Sequence, residues 1–432
     1  MNGAVMISIA LFGTLLVSII LGLPIAVALI LGGALPLLTM TDLPLTMISQ
    51  KLYASLDTFT LLAVPFFILS GGIMARGGVS QRLVRFANSL VGWMPGGLAV
   101  VTFVVCAFFG AICGSSSATI AAIGVIMYPA LLEAGYDKKF ALATVASAGW
   151  LGVIIPPSIP MIMFALSAGS VSIGDLFMGG FIPGIMLTAI MSVYAVIYGK
   201  RHIKARQKFD IKEVGKSFVD AIWALGMPII ILGGIYSGVF TATESAAIAV
   251  VYGLIVSIFI YRNFSIKKDL MPIIKASAVT TSVLMFIIVG ATVFSYIMTV
   301  QRIPAIVAEW ITSFADTRMQ FIAVTIVIIL IVGTFMETAP AMMVMAPILV
   351  PMLGQYGMHV VPYGVCMAVG LGIGMVTPPV GVNLYITASI SEESPQRVIN
   401  KHLFIYALLA LIGLIILYSF PGIIEFLPGT MH

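Results

Sequence analysis

Charge is what this chain has least of. Only 9% of its 432 residues are Asp, Glu, Lys or Arg, against 61% hydrophobic. A soluble protein carries roughly a quarter charged residues, so a soluble globular class is excluded. Mean hydropathy is +1.16, and the chain reads as an all-α polytopic membrane protein. A spanning helix needs roughly 20 apolar residues, so the length allows about ten to twelve crossings. Cysteine is scarce as well. Cys106, Cys113 and Cys366 all lie in apolar runs, which predicts free buried thiols. The C-x6-C pair has no histidine nearby and gives no metal constellation. His202, His359, His402 and His432 are scattered near segment ends. No G-x-x-x-x-G-K-S/T, H-E-x-x-H or G-x-S-x-G occurs, so ATP hydrolysis on this chain and the common hydrolytic chemistries are not expected. The opening MNGAVMISIALFGTLL lacks a basic n-region and a cleavage site. It reads as the first helix rather than a signal peptide.

Apolar runs occur at about 3–21, 24–40, 58–75, 90–112, 116–132, 139–168, 178–199, 219–237, 243–261, 274–300, 319–333, 337–352, 360–389 and 403–424. Charged stretches fall at 76–85, 137–139, 200–216, 262–275 and 392–402. Placing 200–216 in the cytoplasm and reading 90–132 and 319–352 as re-entrant hairpins puts all five stretches inside. Of the 21 basic residues, only Lys51, Arg302 and Arg318 then lie outside. That is the positive-inside pattern, and it accounts for the net charge of +5 without nucleic acid. Full crossings in place of hairpins give the same sidedness, so the hairpins rest on other grounds.

Those grounds are an internal repeat. GVIIPPSIPMIMFA (152–165) compares with GMVTPPVGVNLYIT (374–387) at an offset of 222. CGSSSATIAA (113–122) compares with the stretch around 332–341, matching Gly114 and Thr119 to Gly333 and Thr338 at an offset of 219. Upstream, ARGGVSQRLVRFA (75–87) takes the place of VQRIPAIVAEWITSF (300–314). Each copy is a span, an amphipathic stretch, a Gly-Ser/Thr kink, and a span broken at Pro-Pro. An odd number of crossings separates the copies, which makes them inverted. Prolines inside a helix remove donors and break it. Irregular backbone at membrane depth is tolerated only where it lines a protein cavity. Inverted repeats with such breaks point to a secondary transporter's binding site.

The hairpin tips (114–119 and 333–338) and the breaks (149–158 and 372–383) are rich in hydroxyls and carbonyls and poor in charge. Hard cations take oxygen ligands, and half-helix ends suit Na⁺ and an anionic group. Two matching sites imply two Na⁺ ions, one per repeat. Ser115–Ser117 also fit ordinary polar packing between helices. Two carboxylates, Glu244 and Glu337, read as intramembrane. Glu337 sits at the second tip. Glu244, in T-x-T-E, fits a helix N-terminal cap equally well. Arg302 suits either a substrate carboxylate or an interfacial anchor.

At GSSSATIAAIG (114–124), PPSIP (156–160), GVFTATESAA (238–247) and TPPVGVNLYI (377–386), the sequence resembles the large membrane subunit of tripartite ATP-independent periplasmic (TRAP) transporters. The resemblance covers nearly the whole chain. It implies a bacterial inner-membrane protein with an elevator mechanism, and N- and C-termini in the periplasm. The implied units are N-terminal scaffold helices at 1–57, repeat 1 at 58–199, a cytoplasmic loop with scaffold arm helices at 200–273, and repeat 2 at 274–424. The implied partners are a small four-helix membrane subunit, expected as a separate chain, and a periplasmic substrate-binding protein. Carried over by position, sodium site 1 uses Ser115, Ser116, Gly149, Val153 and Pro156. Sodium site 2 uses Gly333, Thr334, Glu337, Gly374 and Thr377. Substrate lies near Ser117, Ser158, Thr338 and Asn383, with Arg302 as an outlying candidate. The family carries carboxylates. The lack of a dense cationic pocket favours one carboxylate with many hydroxyls, N-acetylneuraminate being the leading expectation. The rival readings are a stand-alone Na⁺/dicarboxylate symporter of related fold and, more remotely, a channel or membrane-embedded enzyme.

Overall fold

The computed structural model describes residues 3–40, 44, 46–169, 171–203 and 208–430. Within the 200–216 stretch, residues 204–207 lie outside the described residues. Every regular element among the described residues is helical. Among the described residues, nine helices are long and apolar enough to cross a membrane. A helix closes its backbone hydrogen bonds within one segment, as the bilayer requires.

Several helices outrun their apolar stretches because polar residues cap them. The 219–237 run belongs to Ile211–Tyr236, where the Asp210 carboxylate accepts the Lys212 N–H at 2.9 Å. The 178–199 run belongs to Ile173–His202, capped by Ser172 and ending on Lys200, Arg201 and His202, cations that suit a helix C-terminus. The two amphipathic stretches form short helices, Val79–Val91 and Ile303–Thr312. Thr46–Leu56 and Gly422–Gly429 are further short helices that the apolar pattern did not show. Glu244 forms a capping box: Thr241 N–H donates to its Oε2 at 2.8 Å, and its own N–H donates to Thr241 Oγ1 at 3.2 Å.

Hairpin 1 has arms Gly97–Cys113 and Ser116–Glu133, and hairpin 2 has arms Arg318–Phe335 and Thr338–Tyr356. Both double back on themselves. At the base of hairpin 2, Phe321 stacks on Tyr356 with centroids 4.2 Å apart, and the Tyr356 hydroxyl donates to Ala315 O at 2.9 Å. At the base of hairpin 1, the Tyr136 hydroxyl lies against the backbone of Leu98 and Ala99.

Broken helix 1 comprises Lys138–Gly149, a 3-10 turn Trp150–Val153, and Ile159–Ser167; broken helix 2 comprises Val360–Gly374 and Val382–Ser391. Both Pro-Pro bonds, Pro156-Pro157 and Pro378-Pro379, are cis. The two broken helices run antiparallel. The start of the first meets the end of the second, where Lys138 pairs with Glu393 and Asn400 Nδ2 donates to Lys139 O at 2.9 Å. The end of the first meets the start of the second, where a Cβ on Gly364 would fall 2.5 Å from the Phe164 ring. The copies are therefore inverted.

The repeat register differs from the sequence match at one point. Gly333 is not the counterpart of Gly114. It lies inside an arm of hairpin 2, where a Cβ on Gly374 would stand 2.6 Å from its Cα. Its counterpart is Gly110, whose Cβ would stand 2.4 Å from Gly152 Cα. Both glycine pairs let a hairpin arm cross its own broken helix at backbone contact, as small residues do in membranes. The turn of hairpin 2 lies at Met336–Glu337.

Around this unit, Ile25–Met40 packs on the long helix Ile266–Val300, Ala63–Arg76 packs on Ala242–Ile255, and Ile211–Tyr236 packs on Val79–Val91. The ion pairs Arg76–Asp269 (3.1 Å), Arg82–Asp220 (3.1 Å), Arg85–Glu213 (2.8 Å), Lys138–Glu393 and Arg397–Glu393 (2.6 Å) gather at one end of the fold. They join the segments that the charge pattern places on one side.

Candidate functional site

Each tip is built around a turn that frees backbone groups and then re-pairs them. Gly114 turns hairpin 1 with φ 63°, and a Cβ there would stand 2.4 Å from Pro157 O; glycine takes this conformation without steric cost. Gly114 O accepts the N–H of Ile159 at 3.1 Å. In the second repeat, Thr334 O accepts the N–H of Gly381 at 2.8 Å. Each hairpin is thus tied by one backbone bond to the far side of its own break.

Ser115 caps the second arm of hairpin 1, and its carbonyl accepts the Thr119 hydroxyl at 2.7 Å. Ser158 caps Ile159–Ser167, accepting the Met161 N–H at 3.3 Å and donating to Val153 O at 2.5 Å. Thr377 Oγ1 donates to Ile373 O at 2.8 Å, and Thr338 Oγ1 donates to Met375 Sδ at 2.9 Å. Two side-chain bonds then join the repeats. Ser116 Oγ donates to Asn383 Oδ1 at 2.9 Å, and Ser117 Oγ donates to Glu337 Oε1. Asn383 Nδ2 reaches on to Ala146 O at 3.4 Å.

The tips open onto a cavity of about 690 Å³. Its walls include Ser115, Ser116, Ser117, Val153, Glu337 and Thr338 on the repeat side, and Ser277 and Thr280 of the long helix on the other. Among the described residues, Glu337 is the one charged side chain that lines it. The cavity runs to Ala75 and Ala276, beside the Arg76–Asp269 pair at the charged end of the molecule.

The structure brings together Ser115, Ser116, Ser117, Val153, Glu337 and Thr338 around this cavity. Thr334, Gly333, Gly374 and Thr377 gather where the first arm of hairpin 2 crosses broken helix 2. Gly149 and Pro156 are buried at break 1, with Gly149 covered by Ile120. Three expected substrate residues stand off the cavity. Ser158 is fully buried and used as a cap, and Asn383 is fully buried as the bridge between repeats. Arg302 is exposed at the turn before Ile303–Thr312 with φ 53°. Glu244 caps a distant helix end. Sequence reasoning missed the cavity's far wall, Ser277 and Thr280. The signal for the wall was hydroxyls recurring three residues apart on one helix face.

Inverted broken helices whose hairpins meet tip to tip, with hydroxyls and one carboxylate at the edge of a mostly apolar cavity, define a membrane transport protein. The comparisons name its family. Residues 12–423 match the family described as "Tripartite ATP-independent periplasmic transporter, DctM component", and the chain belongs to it. It is 38% identical over 424 residues to the isethionate TRAP transporter permease protein DctMQ of Oleidesulfovibrio alaskensis, covering 97% of this chain and 66% of that longer protein. It is 37% identical over 402 residues to the C4-dicarboxylate TRAP transporter large permease protein DctM of Pseudomonas aeruginosa, covering 93% of each. It is 35% identical over 420 residues to the 2,3-diketo-L-gulonate TRAP transporter large permease protein YiaN of Escherichia coli, covering 97% of this chain and 96% of that one. The crystal structure of the Alcanivorax borkumensis YdaH transporter shares the fold, with TM-score 0.64, 16% identity and 98% of both chains covered. The chain is therefore a multi-span transport permease and not an enzyme.

Proposed function

We propose that this chain is the large permease of a Na⁺-coupled TRAP transporter that imports a small organic anion by an elevator movement. The observation that supports this reading most is the meeting of the two tips. An anion entering the cavity meets a mostly apolar lining with hydroxyls and one carboxylate, and no cationic side chain in the lining among the described residues. At an effective dielectric of ~20, a carboxylate ~6 Å away repels it by roughly 3 kcal/mol. Attraction must come from cations bound beside the tips and from helix N-termini. Ser115, Ser116, Gly149, Val153 and Pro156 supply oxygens for one Na⁺. Gly333, Thr334, Glu337, Gly374 and Thr377 supply them for another. Ser117 and Thr338 then face the substrate.

In this reading the two repeats' hairpins and broken helices move together against the surrounding helices, and the present cavity is the inward-facing one. The partners are a small four-helix membrane subunit and a periplasmic binding protein in a bacterial inner membrane, with both termini of this chain in the periplasm. The substrate carries a carboxylate. N-acetylneuraminate, the acid favoured by the sparse positive charge, is tested beside C4-dicarboxylates and 2,3-diketo-L-gulonate, and beside isethionate, a sulfonate whose accumulation would replace the carboxylate; these are the acids named for the relatives.

Proteoliposomes holding the chain and its small subunit are given each labelled acid, with and without an inward Na⁺ gradient and binding protein. Accumulation of one acid that needs both supports the reading. Accumulation with Na⁺ alone replaces it with a stand-alone symporter. Na⁺-independent flux overturns the coupling.

A further inference from the structure

A second, smaller cavity lies along the same seam as the first. It measures about 270 Å³ and is lined by Lys51, Ser167, Thr292, Ser295, Tyr296 and Thr299, with Met343 and Pro347 closing it. Its outer wall is helix Thr46–Leu56 and the C-terminal half of the long helix. The facing wall is the end of broken helix 1 and the second arm of hairpin 2. The long helix contributes Ser277, Thr280 and Leu284 to the first cavity and Ala291, Ser295 and Thr299 to the second. Steps of three and four residues keep these on one helical face. The two cavities are thus about four turns apart, roughly 22 Å, along a single stripe.

The two differ in charge. Glu337 is the charged side chain of the inner cavity and Lys51 that of the outer one, among the described residues lining them. Glu337 sits on a tip, and Lys51 sits on a helix packed against the long helix. Lys51 Nζ stands 4.8 Å from the centre of the Tyr296 ring, and Tyr296 in turn donates to Met47 Sδ at 3.5 Å. An exposed cation–π contact is weak, so the ammonium is held in place yet free to exchange partners. Three of the pocket's four serine and threonine hydroxyls are already committed. Ser167, Thr292 and Thr299 give their hydroxyl hydrogens to Met163 O (2.7 Å), Ile288 O (2.9 Å) and Ser295 O (2.8 Å). An anion placed here finds its strong donor in Lys51.

We propose that the Lys51 cavity is the outward-facing position of the substrate site, and that Lys51 binds the anionic group of the substrate on that side only. This rests on the reading above, in which the tips move along the seam. With the tips raised to the level of Ser295, the anion lies against Lys51. With the tips lowered, as here, it has left Lys51 behind.

The test is asymmetry. The chain and its small subunit are reconstituted in one orientation with binding protein on the external side, and KM is measured from each side. The probe is whichever of N-acetylneuraminate, succinate, 2,3-diketo-L-gulonate and isethionate the wild type accumulates. Lys51→Gln is expected to raise the external KM about tenfold, the scale of one exposed charge-assisted contact, while the internal KM and the Na⁺ midpoint stay put. Lys51→Arg restores the external KM. Equal increases on both sides, or no change on either, overturn the assignment and leave Lys51 an interfacial anchor. Wild type that accumulates none of the acids above under a Na⁺ gradient with binding protein present contradicts the transport reading instead, a result separate from any effect of Lys51.

Discussion

The two repeats share a backbone plan but not a chemistry. In both, a hairpin crosses its own broken helix on a pair of glycines and is tied to the far side of the break by one backbone hydrogen bond. In the first repeat the tip is neutral, Gly114 followed by three serines, and the break from Gly152 to Pro160 is buried throughout. In the second the tip carries Glu337, and the break is partly open at Thr377, Pro378 and Pro379. Geometry has been kept while side-chain chemistry has been divided. The first tip offers hydroxyls that accept and donate, and the second offers fixed charge. Ser117 and Glu337 meet because one is the partner the other lacks.

The largest expected effect tests the shared plan. Leucine at Gly152 or Gly374 forces atoms into a backbone crossing, where overpacking costs about 1–3 kcal/mol or more. Both variants should lose the folded protein on size-exclusion chromatography. If Gly374→Leu folds normally, the second crossing is looser than the first. Next comes the divided chemistry. Glu337→Ala should cut uptake at least about a hundredfold, and Ser115→Ala about tenfold, which corresponds to roughly 1.4 kcal/mol. Equal losses in initial-rate assays would erase the distinction between the tips.

A smaller effect tests the bridge. Ser116→Ala and Asn383→Ala each remove one side of a buried hydrogen bond, at about 1–3 kcal/mol. In thermal unfolding their double mutant should cost less than the sum, because both remove the same bond. Strict additivity would mean that the two side chains act separately. The smallest effect lies at the charged end. Lys138 and Arg397 hold the Glu393 carboxyl below its ordinary value of 4.5. The stabilisation from that depressed group is fully present above its unfolded value and is lost as pH falls through the lower folded one. Glu393→Gln should therefore lower Tm slightly at pH 7 and by progressively less as the pH falls below 4.5. A loss that does not shrink with falling pH would point to packing instead of charge.

The breaks and tips were legible in the sequence because Pro-Pro, Gly and Ser are unusual inside apolar runs, and because they recur. Orientation was legible because cations collect in loops. The role of Asn383 was not, since its partner Ser116 is 267 residues away and only the folded chain brings them together. The true glycine register was hidden for a related reason. Gly333 resembles Gly114 in a string of letters, but what it touches is Gly374. Arg302 drew attention as an isolated cation on the outer side, and the fold leaves it at an exposed turn. Lys51, equally isolated, faces a cavity. Lys51 lies on Thr46–Leu56 at the edge of a cavity beside the long helix, whereas Arg302 stands at the exposed turn that opens Ile303–Thr312.

One cation per repeat is the centre of this account, and Na⁺-dependent substrate binding tests it most directly. Calorimetry on the purified complex should give wild type a Hill coefficient for Na⁺ that approaches the number of coupled sites, about 2. Ser116→Ala and Thr377→Ala, one from each repeat, should each lower it to about 1 while substrate still binds at high Na⁺. Substrate binding that ignores Na⁺, or a coefficient that neither substitution changes, would contradict it.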